Sequence, residues 1–386
     1  MKYPFTNITL PIHNRYSFET TLHRNAISRH VTILTMTNKF PAQPLFHTST
    51  AQEFLVTPAK LPATLQTLRQ DIQTGLVEIF LPALEKRYAI LFAGGEPVNI
   101  YSLQRPVKRI LPNSRLEKLL LGFDPDEKVL LRVLSLSPQT IRMVKIWIEQ
   151  QADRASQPLA TIEIEEHLSS LQKSGMALVY YSWPSAEALA LLPGNGDPPL
   201  HTLFVSGDQM LHSAGGIMAL LGWKEPDCYA TVLNNLASSP AWDEYLLHHS
   251  FVLFLTRFLP RLENLAGRSL VSAILRDMNF TASAHSWNIS ITTNSVTDQA
   301  IFTSPEDAAE VYKRMIDSPI QRAESALGVQ VTQMLEREIA ASMSTPARKL
   351  FHRHIHLETR LLPVEESLPP ALSSHFPARK DDPLRL

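Results

Sequence analysis

The chain has 386 residues, 44% hydrophobic and 19% charged, a composition that buries a core and a length that allows two or three domains. With 36 basic against 37 acidic side chains the formal net charge is −1, so no overall field recruits nucleic acid or an acidic lipid surface. A single cysteine, Cys228, excludes an internal disulfide framework and a cysteine-built metal cluster, and no apolar run approaches the roughly 18–20 residues of a membrane helix.

Residues 1–50 carry five basic side chains (Lys2, Arg15, Arg24, Arg29, Lys39) against one acid, Glu19, and show no regular arginine-lined helix. They read as an N-terminal arm or a few added strands, such as HVTILTM at 30–36. The opening MKYPFTNITL lacks the charged start and apolar block of a secretion signal, and a cytoplasmic location is expected.

The next segments come in two matching series. Leu61, Leu65 and Leu68 recur at helical spacing over 60–72, as do Ile164, Leu168 and Leu171 over 163–172. Thr74-Gly75 and Ser174-Gly175 follow, then apolar strands at 76–81 and 177–183. Each series continues into a hairpin, YAILFAGGEPVNIY (88–101) and HTLFVSGDQMLHSA (201–214). Gly95-Glu96 and Gly207-Asp208 mark the turns, because glycine accepts positive φ without steric cost. LLLGF (119–123) then matches ALLGW (219–223), and LSLSP (134–138) matches LASSP (236–240). The expectation is a tandem duplication, 51–152 and 153–249, with Phe92 equivalent to Phe204 and insertions confined to proline-rich loops at 105–115 and 192–199.

This order of helix, strand and glycine-turn hairpin resembles the PATAN-like family of bacterial signalling domains. The likeness rests on Leu61, Leu65, Thr74, Gly75, Leu76, Phe92, Gly94, Gly95 and Val98 in the first copy. In the second it rests on Leu168, Ser174, Gly175, Phe204, Gly207 and Met210. Tyr101-Ser102 stands where the family has a small residue. The resemblance implies non-catalytic interaction modules of response-regulator pathways and carries no catalytic residue.

Beyond the repeats, 250–343 reads as a mostly helical α-β-β-α-α region. Phe251, Leu255, Phe258, Leu262 and Leu265 form one stripe on a helix over 250–278 that Pro260 should kink or divide. The stripe is wider than a small hairpin with strands at 287–293 and 296–302 covers: either it is core of its own region, as a single amphipathic helix more often is, or these five residues are the candidate interaction site, for a homodimer or a protein partner. Ser304, Pro305, Glu306 and Asp307 mark a helix start, and Leu327, Val331, Leu335 and Ile339 a last helix over 325–343. Residues 344–386, with six prolines, read as a disordered tail.

Candidate chemistries are few. The glycine clusters at 93–95, 194–196 and 214–216 match neither a dinucleotide loop nor a phosphate loop, and GNGD (194–197) reads as a surface turn. His352, His354 and His356 would share a strand face, but Arg348, Lys349, Arg353 and Arg360 repel a dication, so the stretch reads as solvated and basic. His248-His249 is expected at a helix end, and His167 beside Glu163, Glu165 and Glu166 is not the zinc-binding His-Glu-x-x-His arrangement. Cys228 reads as a buried thiol whose acidic neighbours at 225 and 227 raise its pKa. Asp277, His285 and Trp287 would form a site only if helix and strand converged there. Basic stretches at 108–120 and 347–360 lack the interleaved aromatics of a nucleic-acid platform.

The sequence therefore reads as a mixed α/β (α+β) chain of tandem helix-strand-hairpin repeats with a helical C-terminal region. The expected role is a non-enzymatic regulatory or scaffolding protein of a bacterial signalling pathway, with a protein partner and with no cofactor, catalytic residue, metal, nucleic acid or membrane. The alternative is an enzyme or small-ligand binder with its pocket between the repeats and the C-terminal region.

Overall fold

Strand β1 (Gln52–Val56), helix α1 (Leu61–Asp71), β2 (Thr74–Leu81), β3 (Lys86–Ala93), β4 (Glu96–Ser102), β5 (Lys108–Ile110) and β6 (Val129–Ser135) build the first unit, and helix α2 (Pro138–Gln150) follows it. These positions come from a computed structural model that describes residues 45–46, 50–71, 74–104, 107–110, 127–150, 157–160, 163–192, 201–234 and 239–355. The strand expected at 30–36, the LLLGF segment at 119–123 and the tail beyond 355 lie outside the described residues.

The second unit repeats the series: β7 (Gln157–Leu159), α3 (Ile164–Ser174), β8 (Ala177–Ser182), β9 (Ala186–Leu192), β10 (His201–Ser206), β11 (Gln209–His212), α4 (Ser213–Gly222) and β12 (Cys228–Asn234). The long helix α5 (Pro240–Ala266) trails it as α2 trails the first. Both sheets have six strands, antiparallel throughout, in the orders β1-β6-β2-β3-β4-β5 and β7-β12-β8-β9-β10-β11. In each, the last strand returns to sit between the first and the second.

That shared order corrects the residue pairing read from the sequence. The hairpin at 88–101 is β3–β4, whereas 201–214 covers β10–β11 and the start of α4, one strand later in the series. The counterpart of β3 is β9, so Phe92 and Phe204 occupy neighbouring positions rather than equivalent ones. A glycine turn is a local device that recurs wherever an antiparallel pair closes tightly. Gly94 and Gly95 (φ 59° and 76°) close β3–β4, while Gly207 (φ 54°) closes β10–β11.

The central strands of both sheets are covered on both faces, which is why β2 and β9 are nearly continuous apolar runs. On the first sheet Val77, Ile79, Ile90, Phe92 and Ile100 meet Leu61, Leu65 and Leu68 of α1. On the second, Val179, Tyr181 and Phe204 meet Ile164 and Leu168 of α3 and Leu220 of α4. The opposite faces, with Leu76, Leu91, Leu189 and Leu203, join one central core together with α2 and α5. Helix α2 packs on β2, β10 and α5, and it is buried on every side.

The C-terminal region continues with α6 (Arg268–Ala284), a two-stranded hairpin β13 (Ile289–Ile291) and β14 (Val296–Asp298), then α7 (Pro305–Leu327), α8 (Val329–Ala341) and α9 (Thr345–Ile355). Helix α5 starts at its cap Ser239, whose hydroxyl accepts the Trp242 N–H, so the boundary expected at 249/250 falls inside a helix. Pro260 does not divide it. A proline inside a helix costs ~3 kcal/mol, but Phe254, Phe258, Leu259 and Leu262 are all buried around it. Each contributes about 1.5–3 kcal/mol. The break comes instead at Gly267 (φ 88°), and the next pair of helices parts at Gly328 (φ 85°), both in the left-handed region that favours glycine. Ser304 caps α7 as expected, its Oγ accepting the Asp307 N–H at 3.1 Å. The tail assigned from 344 begins as helix α9, with Leu350, Phe351 and Ile355 buried. Pro346 stands in its first turn, where the missing N–H takes nothing from the helix.

Candidate functional site

Helix α2 reads PQTIRMVKIWIEQ, an apolar helix with charges at Arg142, Lys145 and Glu149, spaced three and four apart along one side. Helix α5 brings Glu244 and His248, one turn apart, to the same junction. Between these helices and α7 the chain leaves β14 at Asp298 and runs irregularly through 299–303, with the Gln299 N–H donated to the Asn288 carbonyl at 2.9 Å. Buried main-chain groups need partners, and here side chains of both units provide them. Arg142 donates to the carbonyls of Asp298 (3.3 Å) and Ala300. The Lys145 ammonium donates to the Phe302 carbonyl at 2.9 Å and pairs with Glu244. The other oxygen of Glu244 accepts the Phe302 N–H at 3.1 Å, and Asn99 of β4 donates to the Thr303 carbonyl at 3.4 Å.

Asp298 is the centre of a second tier. Its Oδ2 accepts from the Tyr312 hydroxyl at 2.6 Å and lies 2.8 Å from His248 Nδ1, while Oδ1 accepts the Ala300 N–H at 2.9 Å and lies 3.6 Å from Arg142. Burial pushes this carboxyl up, but His248, Arg142 and the Tyr312 hydroxyl outweigh it and hold it below the usual carboxylate range. Burial lowers Lys145 against the pull of Glu244. Burial also lowers His248, helped by Arg142 and opposed by Asp298, and it raises Tyr312, helped by Asp298. Glu149 completes the junction: one oxygen accepts the Tyr101 hydroxyl at 2.8 Å, the other the Ala241 N–H at 2.8 Å in the first turn of α5.

The same device appears on the first sheet. Glu78 accepts the Leu45 N–H at 2.9 Å and ion-pairs with Arg87 and Arg132, while Arg132 donates to the Phe46 carbonyl. In both places buried charges organise irregular backbone of the chain itself.

Of the five stripe residues, Phe251, Leu255, Phe258 and Leu262 are buried completely within the chain. Helices α7, α8 and α9 cover them, and Phe251 stacks on Tyr312 at 4.3 Å. This corrects their assignment as a free interaction surface: α9, read as tail, supplies the cover the hairpin lacks. Leu265 remains 54% exposed. His248-His249 lies inside α5, not at its end, because the helix continues to Ala266. Asp277 pairs with Arg322, while His285 stacks on Trp287 at 4.6 Å. Cys228 is buried, and burial, not its acidic neighbours, pushes its thiol up to about 12. His167 lies 3.0 Å from the Tyr181 hydroxyl, and His352 and His354 sit on α9, while His356 lies outside the described residues. Among the described residues, no three His, Cys, Asp or Glu side chains are placed to hold a metal ion, and no helix is long and apolar enough to cross a membrane.

Of the junction's residues the sequence singled out only His248, though charges three and four apart in an otherwise apolar helix were a visible signal at Arg142, Lys145 and Glu149. Comparison with protein-family models, curated proteins and solved structures finds no match for this chain.

Proposed function

We propose that this chain is a non-enzymatic regulatory or scaffolding protein of a bacterial signalling pathway, acting through protein–protein contacts made by its two repeats. The observation that carries the reading is helix α4. Its ten residues, SAGGIMALLG, hold no charge, and only Gly216 and Leu220 are buried. Met218 is 72% exposed, and Leu211 and Leu221 are exposed beside it. An outward apolar helix face of this kind marks a contact surface. The first copy provides the contrast: extending the LLLGF/ALLGW match upstream sets Ser114, Arg115 and Lys118 against Ala214, Gly215 and Met218. Charges suited to a solvated face stand in one copy, and apolar or small residues in the other.

The alternative, a catalytic or ligand pocket where the repeats meet the C-terminal region, has its convergent groups in Arg142, Lys145, Glu244, His248 and Asp298. Each of them is already engaged with the chain's own backbone or with another member of the cluster. That engagement favours a structural junction.

A photo-reactive amino acid placed at Met218 in the source cell tests the proposal. A discrete crosslinked species is expected there, none from the same group at Glu310, and loss of the species when Gly215→Arg restores the first copy's charge. Crosslinking absent from Met218, or equal at both sites, would refute it.

A further inference from the structure

The two units share a cavity of about 360 Å³, lined by Thr50, Gln52, Leu68, Val133 and Ser135 on the side of the first and by Met210 and His212 of the second. Its size lies at the lower end of the roughly 300–1,000 Å³ of ligand pockets. Gln52 belongs to β1 and His212 to β11, and each strand is the outermost of its sheet. Among the described residues β1 pairs only with β6, and β11 only with β10. Among the described residues β1 therefore presents a main-chain edge at the cavity, while helix α4 packs against β11. Edge strands are usually blunted by lysine, proline or a bulge. β1, QEFLV, has neither lysine nor proline, its single acid Glu53 lies 3.4 Å from Arg132, and Leu55 is exposed.

The chemistry of the lining narrows what fits. No residue lining the cavity carries a formal charge at neutral pH, since burial lowers the one titratable group, His212. The imidazole is also held in place. Its Nδ1 lies 3.0 Å from Thr140 Oγ1, and Thr140 is bound in turn to Ser137, which precedes α2 (Oγ to Oγ1 at 2.8 Å, N–H to Oγ at 3.2 Å). This leaves Nε2 as the ring atom for a ligand. An amide, two hydroxyls (Thr50 and Ser135) and a neutral imidazole beside Leu68, Val133 and Met210 complement a molecule with alternating donors and acceptors, small apolar groups and no charge.

We infer that this cleft binds an extended, uncharged peptide segment of a partner protein, which adds as a strand to the edge of β1 and seats one apolar side chain over Leu68 and Val133. Strand addition draws affinity from main-chain hydrogen bonds and selectivity from the pocket beneath alternate side chains. The inference rests on the protein-interaction reading above and gives that partner its chemistry.

A phage-displayed library of random nonapeptides, panned on the full chain, tests it. Enriched peptides should be uncharged and rich in β-branched residues. Once synthesised, they should bind Gln52→Lys and His212→Ala at least about tenfold more weakly than the wild type, a difference of ~1.4 kcal/mol. Gln52 is exposed, so its variant should keep the wild-type circular dichroism. Enrichment of charged peptides, or of peptides that bind both variants as tightly as the wild type, overturns the cleft and leaves partner binding standing. No enrichment also overturns the cleft, and the Met218 crosslink then judges partner binding separately.

Discussion

Asp298 shows how much one side chain carries in this protein. Asp298→Asn keeps the shape but removes the charge that faces Arg142 and His248. Breaking a buried ion pair from one side costs about 3–5 kcal/mol, and urea unfolding should show a loss of that order at neutral pH. The wild-type carboxyl sits below its usual range. Its stabilisation is therefore present above the unfolded-state value of 3.8 and disappears as pH falls through the lower folded value. The two proteins should converge in strong acid. The histidines act in a different window. His201 is lowered from 6.5 to about 4, chiefly by burial, with His248 and Arg142 adding to the effect. Between those values the unfolded chain binds the proton and the folded chain does not, so stability should fall as pH drops from 6.5 to about 4. His201→Phe should flatten that decline, and an unchanged slope would show that other groups govern it.

Helix α5 shows the same sequence pattern meeting two environments. Leu262 and Leu265 lie on one stripe of the sequence, yet Leu262 is buried and Leu265 is 54% exposed. Leu262→Ala should cost about 2–5 kcal/mol through lost contacts and a cavity. Leu265→Ala should stay within about 0.5 kcal/mol, as surface changes do. Thermal melts followed by circular dichroism separate the two, and similar losses would mean that Leu265 is covered in solution. The stripe itself was legible, because its spacing depends only on helical periodicity. Its cover was not, because α9 supplies it from about a hundred residues further along the chain.

For the whole molecule, the consequence of a shared core is cooperativity. Helix α2 follows the first sheet but is enclosed by β2, β10 and α5, and the inner faces of both sheets belong to one cluster. Neither repeat buries its inner face alone. Unfolding should therefore give one transition, coincident by far-ultraviolet circular dichroism and by the fluorescence of Trp147 in α2 and Trp183 beside β8, measured in variants that keep one tryptophan at a time. Two separated transitions would show that the repeats fold as independent domains.

The sequence by itself determined the mixed α/β class, the recurrence of a helix-and-strand series, the cap at Ser304 and the glycine turns at Gly95 and Gly207, the first of which the structure sets at Gly94-Gly95 rather than Gly95-Glu96. Each of these depends on periodicity or on backbone sterics within a few residues. Only the tertiary structure decided which strands correspond, because a glycine hairpin looks the same between any two antiparallel strands. It also decided the junction at Asp298, where Arg142, Lys145 and Glu244 are separated from 298–303 by more than fifty residues in sequence. Their role comes from the unpaired backbone they reach, and no local pattern records where a distant segment will lack hydrogen bonds.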